Sequence, residues 1–216
     1  MNDTIEVYGI VMKSQPVGEY DKRVTILTKE RGKVSAFARG ARRQGSALMG
    51  VTGIFATGRF RLREGRDSYN LYHAQIDNFF DPLLKDMEQT CYGTYFLELA
   101  DYYAREQMSE PQMIKLLYLA LTALTRESLP NRLVRRIFEL RIMVIDGQYD
   151  SEPPANASDT CRYTWDFIIH TPCERLFTFV LKEEVFAELE AGVDRSLKKY
   201  VDRPMHSLEI LESLNP

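Results

Sequence analysis

The spacing of apolar positions changes near residue 80, and the change divides the chain. Before it, apolar residues come in short runs. Ile5 to Lys13 is apolar-rich and holds Gly9, where a bulge or close packing is expected. Arg23 to Lys29 is short and β-branched, and Arg31-Gly32 reads as a tight turn before Lys33 to Arg39. Gly58 to Arg63 alternates most clearly, with Phe60 and Leu62 pointing one way and Arg59, Arg61 and Arg63 the other. Glu64 to Asp67 is a turn, and Ser68 to Ile76 returns as a strand rich in Tyr and Leu. Five short strands in one small domain predict a closed barrel or sandwich rather than a parallel sheet. Gly40 to Thr57 contains Gly40, Gly45, Gly50 and Gly53 and reads as a mobile basic loop followed by a short helix or turn.

From Asp81 the period becomes helical. Asp81-Pro82 supplies a cap and a first-turn proline. Leu84, Met87, Cys91, Tyr95, Leu99 and Tyr102 follow at spacings that place them on one face. Ser109 to Gln112 has capping-box spacing and opens a second helix to about Thr125. That helix is apolar nearly all round and belongs at the centre of a bundle. A third helix runs from about Asn131 to Asp146 and stops at Gly147. Residues 148–160 are polar, hold Pro153-Pro154 and read as a loop, and further helices are expected at 160–170, 182–202 and 206–214. The fold class is α+β, with domains at 1–80 and 81–216.

Charge follows the same division. The chain is net −3, yet residues 1–80 are net +5 and residues 81–216 net −8. Nine basic residues lie between Arg31 and Arg66: Arg31, Lys33, Arg39, Arg42, Arg43, Arg59, Arg61, Arg63 and Arg66. A basic half attracts a polyanion, and an acidic half keeps the chain soluble or meets a different partner. Cys91, Cys161 and Cys173 are odd in number and widely spaced, which fits a reducing cytoplasm better than a disulfide framework. No apolar run approaches a membrane span, and the N-terminus has no secretory pattern.

The sequence holds no GxxxxGK[ST], GxSxG or HExxH. His73, His170 and His206 are scattered, and no cysteine pair has zinc-knuckle spacing, which leaves Cys161 and Cys173 with His170 as the one metal arrangement open. Carboxylates at Glu183, Glu184, Glu188 and Glu190 suit a solvated helix face and a helix N-terminus. No catalytic residue, metal or cofactor is implied. Arginine on a strand face and in a loop does suit sequence-independent phosphate contact. Arg39, Arg42 and Arg43 stand out, because no acid lies between Glu30 and Glu64. Tyr72 is a candidate platform for base stacking, while Phe37 and Tyr69 are expected to fill the core.

Gly9 to Ser14, Gly18 to Arg23, Leu27 to Lys33 and Ala36 to Arg43 together resemble the N-terminal domain of the RecO family of DNA repair and recombination mediators. Tyr95 to Leu99, Phe138 to Arg141 and Thr171 to Phe179 resemble its helical half. The resemblance implies a five-stranded OB-fold barrel followed by an α-helical domain. It also implies binding to single- and double-stranded DNA, annealing of complementary strands, and partnership with RecR and the acidic tail of single-strand-binding protein, so that RecA loads onto coated DNA in the bacterial cytoplasm, at the nucleoid. By resemblance Arg39, Arg42 and Arg43 fall in the DNA-contacting loop, flanked by Lys22, Arg23, Arg31 and Lys33. Arg59, Arg61, Arg63 and Arg66 extend the basic surface, roughly as apt for solvent and acid pairing as for DNA. Arg132, Arg135, Arg136 and Arg141 are the cations that a helical groove could offer an acidic tail, although a solvated helix face suits at least two of them. Many members of the family carry a four-cysteine zinc module where this chain has only Gln148 to Cys161, so the module reads as deleted. An RNA-binding OB module and a protein-interaction scaffold are the alternatives.

Overall fold

The computed structural model describes residues 4–65 and 68–214, and Arg66 lies outside the described residues. The chain forms two compact units, one reaching to Asp81 and including Ala104–Ile114, the other made of Pro82–Tyr103 and the chain from Lys115 onward.

The first unit is a closed barrel of five strands in the order β1-β2-β3-β5-β4, as an OB fold requires. The strands are β1 (Thr4–Val17), β2 (Asp21–Thr28), β3 (Gly32–Ala38), β4 (Thr57–Glu64) and β5 (Tyr69–Asn78), with a one-turn helix α1 (Leu48–Val51) between β3 and β4. β1 outruns its apolar stretch because it pairs twice, its first half with β4 and its second with β2. Where the ladders meet, Gly9 is packed so closely that a Cβ would lie 2.6 Å from both Ile26 Cγ2 and the Leu27 carbonyl oxygen. The bulge expected near Gly9 falls between Val11 and Lys13, and the extra residue lets the strand bend from one partner to the other. Val7, Val11, Val24, Ile26, Val34, Phe60 and Leu62 fill the interior, and Tyr69 packs against them. Phe37 departs from expectation. Its neighbours Ala36 and Ala38 take the inward positions, so the ring points outward and is only half-buried.

Ala104–Ile114 joins the first unit although the sequence divides the chain at residue 80. The Lys33 N–H donates to the Arg105 carbonyl (2.9 Å), and the Glu110 N–H donates to the Lys29 carbonyl (3.2 Å). Ser109 Oγ donates to that same Lys29 oxygen (2.8 Å), so the expected capping box does not form. Gly32 makes this docking possible: its φ is +58°, and a Cβ there would overlap the carbonyl oxygens of Arg105 and Met108. Gly32→Ala is therefore expected to lower stability by about 1–3 kcal/mol, read as a fall in the urea midpoint. An unchanged midpoint would show that the segment is not held as described.

The second unit is helical: α2 (Asp81–Lys85), α3 (Met87–Tyr103), α4 (Pro111–Leu124), α5 (Asn131–Asp146), α6 (Asp159–His170), α7 (Glu183–Tyr200) and α8 (His206–Leu214). Both α2 and α4 begin in the first unit, at Asp81 and at Pro111, and continue in the second. A one-turn 3-10 helix at Cys173–Arg175 was not foreseen. The single apolar face expected from Leu84 to Tyr102 is broken. Asp86 interrupts the helix and its carboxylate accepts the Gln89 N–H at 2.9 Å, restarting α3 in a new phase. Leu83 is consequently buried while Leu84 and Met87 are 47% and 68% exposed. α4 is buried around most of its circumference, and α5 packs against α3, α6 and α7. α5 ends where expected, on left-handed Gly147, with the Gly147 and Gln148 N–H groups bonded back to Val144 and Met143. Among the described residues no helix is long and apolar enough to cross a membrane.

The polar stretch after α5 is anchored at both ends. Asp150 accepts from Ser196, Lys199 and Tyr200, at 2.8, 2.6 and 3.0 Å. Burial would raise its carboxyl pKa, but these donors outweigh burial and hold it below the usual range. Trp165 Nε1 donates to the Asp150 carbonyl, and Ser158 donates its N–H and hydroxyl to Glu188. Pro154 lies so near Gly192 that a Cβ there would approach it to 3.0 Å. Hydrogen bonds to α7 and a packed proline thus hold the short segment read from the sequence as a loop.

Candidate nucleic-acid interface

Register places four sequence-distant residues in one transverse row on the outside of the barrel. Arg23 on β2 faces Phe37 on β3, Phe37 faces Asn70 on β5, and Asn70 faces Arg63 on β4. Paired residues project to the same side of a sheet, and strands lie about 4.8 Å apart, so the row spans roughly 14 Å. Each end is a guanidinium beside a ring: Arg23 lies 5.8 Å from the centroid of Phe37, and Arg63 lies 5.7 Å from that of Tyr72. Arg23 Nε also donates to Ser35 Oγ at 2.9 Å, which fixes its direction. Tyr72 is 44% exposed and, with Arg39, Arg63 and Asn70, lines a shallow hollow of about 520 Å³.

The second group of cations lies in the segment after β3, which packs on the turn between β1 and β2. The first part of the loop expected to be mobile is a series of hydrogen-bonded turns tied to this turn. The Gly40 N–H donates to Asp21 Oδ1 at 2.7 Å, the Arg42 N–H donates to the Tyr20 carbonyl at 2.9 Å, and Arg42 Nη1 donates to the Gly18 carbonyl at 3.0 Å. The Arg43 guanidinium lies 4.9 Å from the centroid of the Tyr20 ring. Arg42 and Arg43 thus have partners, but the partners are a carbonyl and a ring, and neither cancels charge. Lys22 reaches Thr52 Oγ1 at 3.3 Å. In an OB barrel the β2–β3 face and the turns joining β1 to β2 and β4 to β5 form the ligand surface. Arg23 and Phe37 lie on that β2–β3 face, Lys22 is at the start of β2, and Arg39, Arg42 and Arg43 follow β3, where Arg42 and Arg43 contact the β1–β2 turn. Arg31 and Lys33 lie beyond the row, at the far end of β3.

Arg59 and Arg61 sit elsewhere, opposite Tyr8 and Glu6 of β1. Arg61 pairs with Glu6 at 2.9 Å, and this hydrogen-bonded cation holds the Glu6 carboxyl below its ordinary value. Of the three alternating arginines on β4, only Arg63 joins the row.

The arginines of α5 are not a solvated face. Arg136 is buried, bonded to Glu139 (2.9 Å), Glu190 (2.9 Å) and Asp194 (2.7 Å). Arg135 pairs with the same Glu139 at 2.8 Å, and Arg141 donates to the carbonyls of Ile168 and Ile169 near the end of α6. Only Arg132 remains half-exposed, beside Glu183 and over the Phe186 ring. Helix α5 alternates too little to reveal this. Its arginines look amphipathic in sequence, whereas Glu139 of α5 itself draws in Arg135 and Arg136, and Glu190 and Asp194 of α7 complete the partners of Arg136. Glu183 and Glu190, expected to be solvated, are the acids that meet Arg132 and Arg136, and Glu188 instead accepts from Ser158. Among the described residues no group of three His, Cys, Asp or Glu is placed to hold a metal ion, so Cys161, Cys173 and His170 do not form the site left open by the sequence.

Asn70, and the Glu106 and Gln107 that border the barrel surface, carried no signal in the sequence. They are ordinary polar residues until register or docking brings them to the cations.

Both halves of this arrangement have counterparts. Residues 1–80 match the family Recombination protein O N terminal, and residues 84–149 match Recombination protein O C terminal. A protein of Acetivibrio thermocellus named DNA repair protein RecO is 23% identical, over 98% of this chain and 97% of its own. A protein of the same name from Clostridium perfringens is 25% identical over 96% and 97%. One from Alkaliphilus metalliredigens reaches 32%, over 66% of this chain and 58% of that protein. With the barrel, the helical unit and both family matches in the same order along the sequence, the chain belongs to the RecO family.

Proposed function

We propose that this protein is a DNA-repair mediator that binds single- and double-stranded DNA without catalysis and anneals complementary strands. The observation that carries this reading is the registered row Arg23–Phe37–Asn70–Arg63, flanked by Arg39, Arg42 and Arg43. Guanidinium groups match phosphate oxygens and displace condensed counterions, which drives binding without regard to sequence. Phe37 and Tyr72 present ring faces beside those cations, as a surface for unpaired bases needs. Two complementary strands repel. A cationic surface that holds both lowers that repulsion and raises their local concentration, and no nucleotide hydrolysis enters.

On this reading Lys22, Arg31 and Lys33 border the contact, and Arg59 and Arg61 add attraction at its edge. RecR, and the acidic tail of single-strand-binding protein, are the proposed partners through which RecA is loaded on coated DNA. Arg132, half-exposed and paired with Glu183, is the α5 cation proposed to meet such a tail. The test is annealing of complementary labelled strands in the absence of ATP. Acceleration over the uncatalysed rate, falling as salt rises, supports the reading. No acceleration at low salt overturns it, and tighter binding to an RNA strand than to its DNA equivalent would assign the surface to RNA.

A further inference from the structure

Beyond one end of the row the barrel carries a second hollow, about 270 Å³ in volume. Arg23, Arg31 and Lys33 line it, and so do Glu64, Glu106 and Gln107. Its size lies just below the usual range for small-ligand pockets, about 300–1,000 Å³, which suits part of one nucleotide and not a duplex. Glu106 and Gln107 come from Ala104–Ile114, the segment docked on Gly32 and Lys33. Gln107 has φ +60°, a left-handed conformation that a non-glycine residue adopts at a cost. The docked segment fixes that strained residue at the rim of the hollow.

The mixture of charges identifies the ligand. A site for phosphate alone gains nothing from carboxylates at Glu64 and Glu106, which repel it. Carboxylates accept hydrogen bonds from N–H groups, and on a nucleobase the exocyclic amino group offers them. Inside a duplex the Watson–Crick edge is occupied by the opposite base, whereas on a single strand it is free. Tyr69, which packs against the barrel interior, also borders the hollow.

We propose that this hollow takes one unpaired base of a bound DNA strand, with the adjoining phosphate on Arg23, Arg31 and Lys33 and the base's amino group on Glu106 and Glu64. The proposal rests on the DNA-binding reading above and adds to it a preference for single strands and for bases that carry an amino group. Cytosine presents such a group. Thymine presents a single N–H between two carbonyls, and those carbonyls face the carboxylates unfavourably.

The test is Glu106→Gln, which keeps the shape and removes the charge. Binding of oligo-dC, oligo-dT of equal length and a DNA duplex is followed by fluorescence anisotropy at fixed salt. The expected result is a loss of oligo-dC affinity of roughly 5-fold or more, near the lower end for a specific base contact. Oligo-dT and duplex should bind as before or more tightly, since a negative charge is gone. Tightening on all three ligands alike, or no change on oligo-dC, would overturn the pocket while leaving DNA binding in place. Absence of wild-type binding to any of the three would instead remove the DNA-binding reading, and the pocket with it.

Discussion

Arg42→Ala/Arg43→Ala is expected to weaken single-stranded DNA binding on the order of tenfold, about 1.4 kcal/mol, at low salt. It should also flatten the dependence of log K on log salt by roughly 1.4, since each phosphate contact on a single strand contributes about 0.7. The slope is the more diagnostic quantity, because it counts displaced counterions. The substitution has little effect on folding. Arg42 makes an exposed hydrogen bond to a turn carbonyl, and Arg43 lies over an exposed ring. A cation–π contact at such a site is worth about 0.5–1 kcal/mol. Titration of labelled oligonucleotide at several salt concentrations, beside thermal unfolding, separates the two effects. An unchanged slope would place these arginines off the phosphate path.

The second large effect belongs to the helical unit. Glu139 is fully buried and accepts from Tyr95 Oη, Arg135 Nε and Arg136 Nη1 at 2.7, 2.8 and 2.9 Å. Burial alone would raise its pKa, but Arg136 and Arg135 outweigh burial and hold the carboxyl below its ordinary value. Glu139→Ala leaves Arg136 buried with only Glu190 and Asp194, which are 35% and 44% exposed. Breaking a buried ion pair from one side typically costs about 3–5 kcal/mol, and that is the expected loss in urea unfolding at neutral pH. A loss below about 1 kcal/mol, the range of exposed pairs, would mean that solvent screens the cluster.

The same group sets a pH dependence. Its folded pKa is depressed, so its stabilisation is complete above the unfolded value, about 4.3, and disappears as pH falls through the folded value. Wild-type stability should therefore decline as the medium is acidified below about 4.3, and Glu139→Gln should decline less steeply over that interval.

Much of this architecture was legible because two periodicities were clear. Arg59, Phe60, Arg61, Leu62 and Arg63 alternate strictly, and the strand follows them. Gly147 marks a helix end because only a residue at ease with positive φ terminates α5 in that way. Phe37 shows where pattern fails. Hydrophobicity sends the ring inward, but strand parity, fixed by Val34, Ala36 and Ala38 facing the core, sends it out. Ser109 looked like a helix cap, and a distant carbonyl at Lys29 took its hydroxyl.

The candidate site divides along similar lines. Its cations were visible as a local excess of charge, whereas their arrangement depends on register, and short-range pattern does not reveal which residue of β3 faces which of β5. Arg136 has the same sequence signal as Arg132, yet carboxylates from another helix draw it inside.

On the proposed reading the row on the barrel, and not charge in general, holds the DNA strand. The most direct measurement compares single-stranded DNA binding of two double variants with equal loss of positive charge. Arg23→Ala/Arg63→Ala removes both ends of the row, and Arg195→Ala/Lys198→Ala removes two exposed cations from α7. A loss of roughly tenfold or more with a flatter salt slope is expected for the first, and near wild-type binding for the second. Equal losses from the two variants would contradict it.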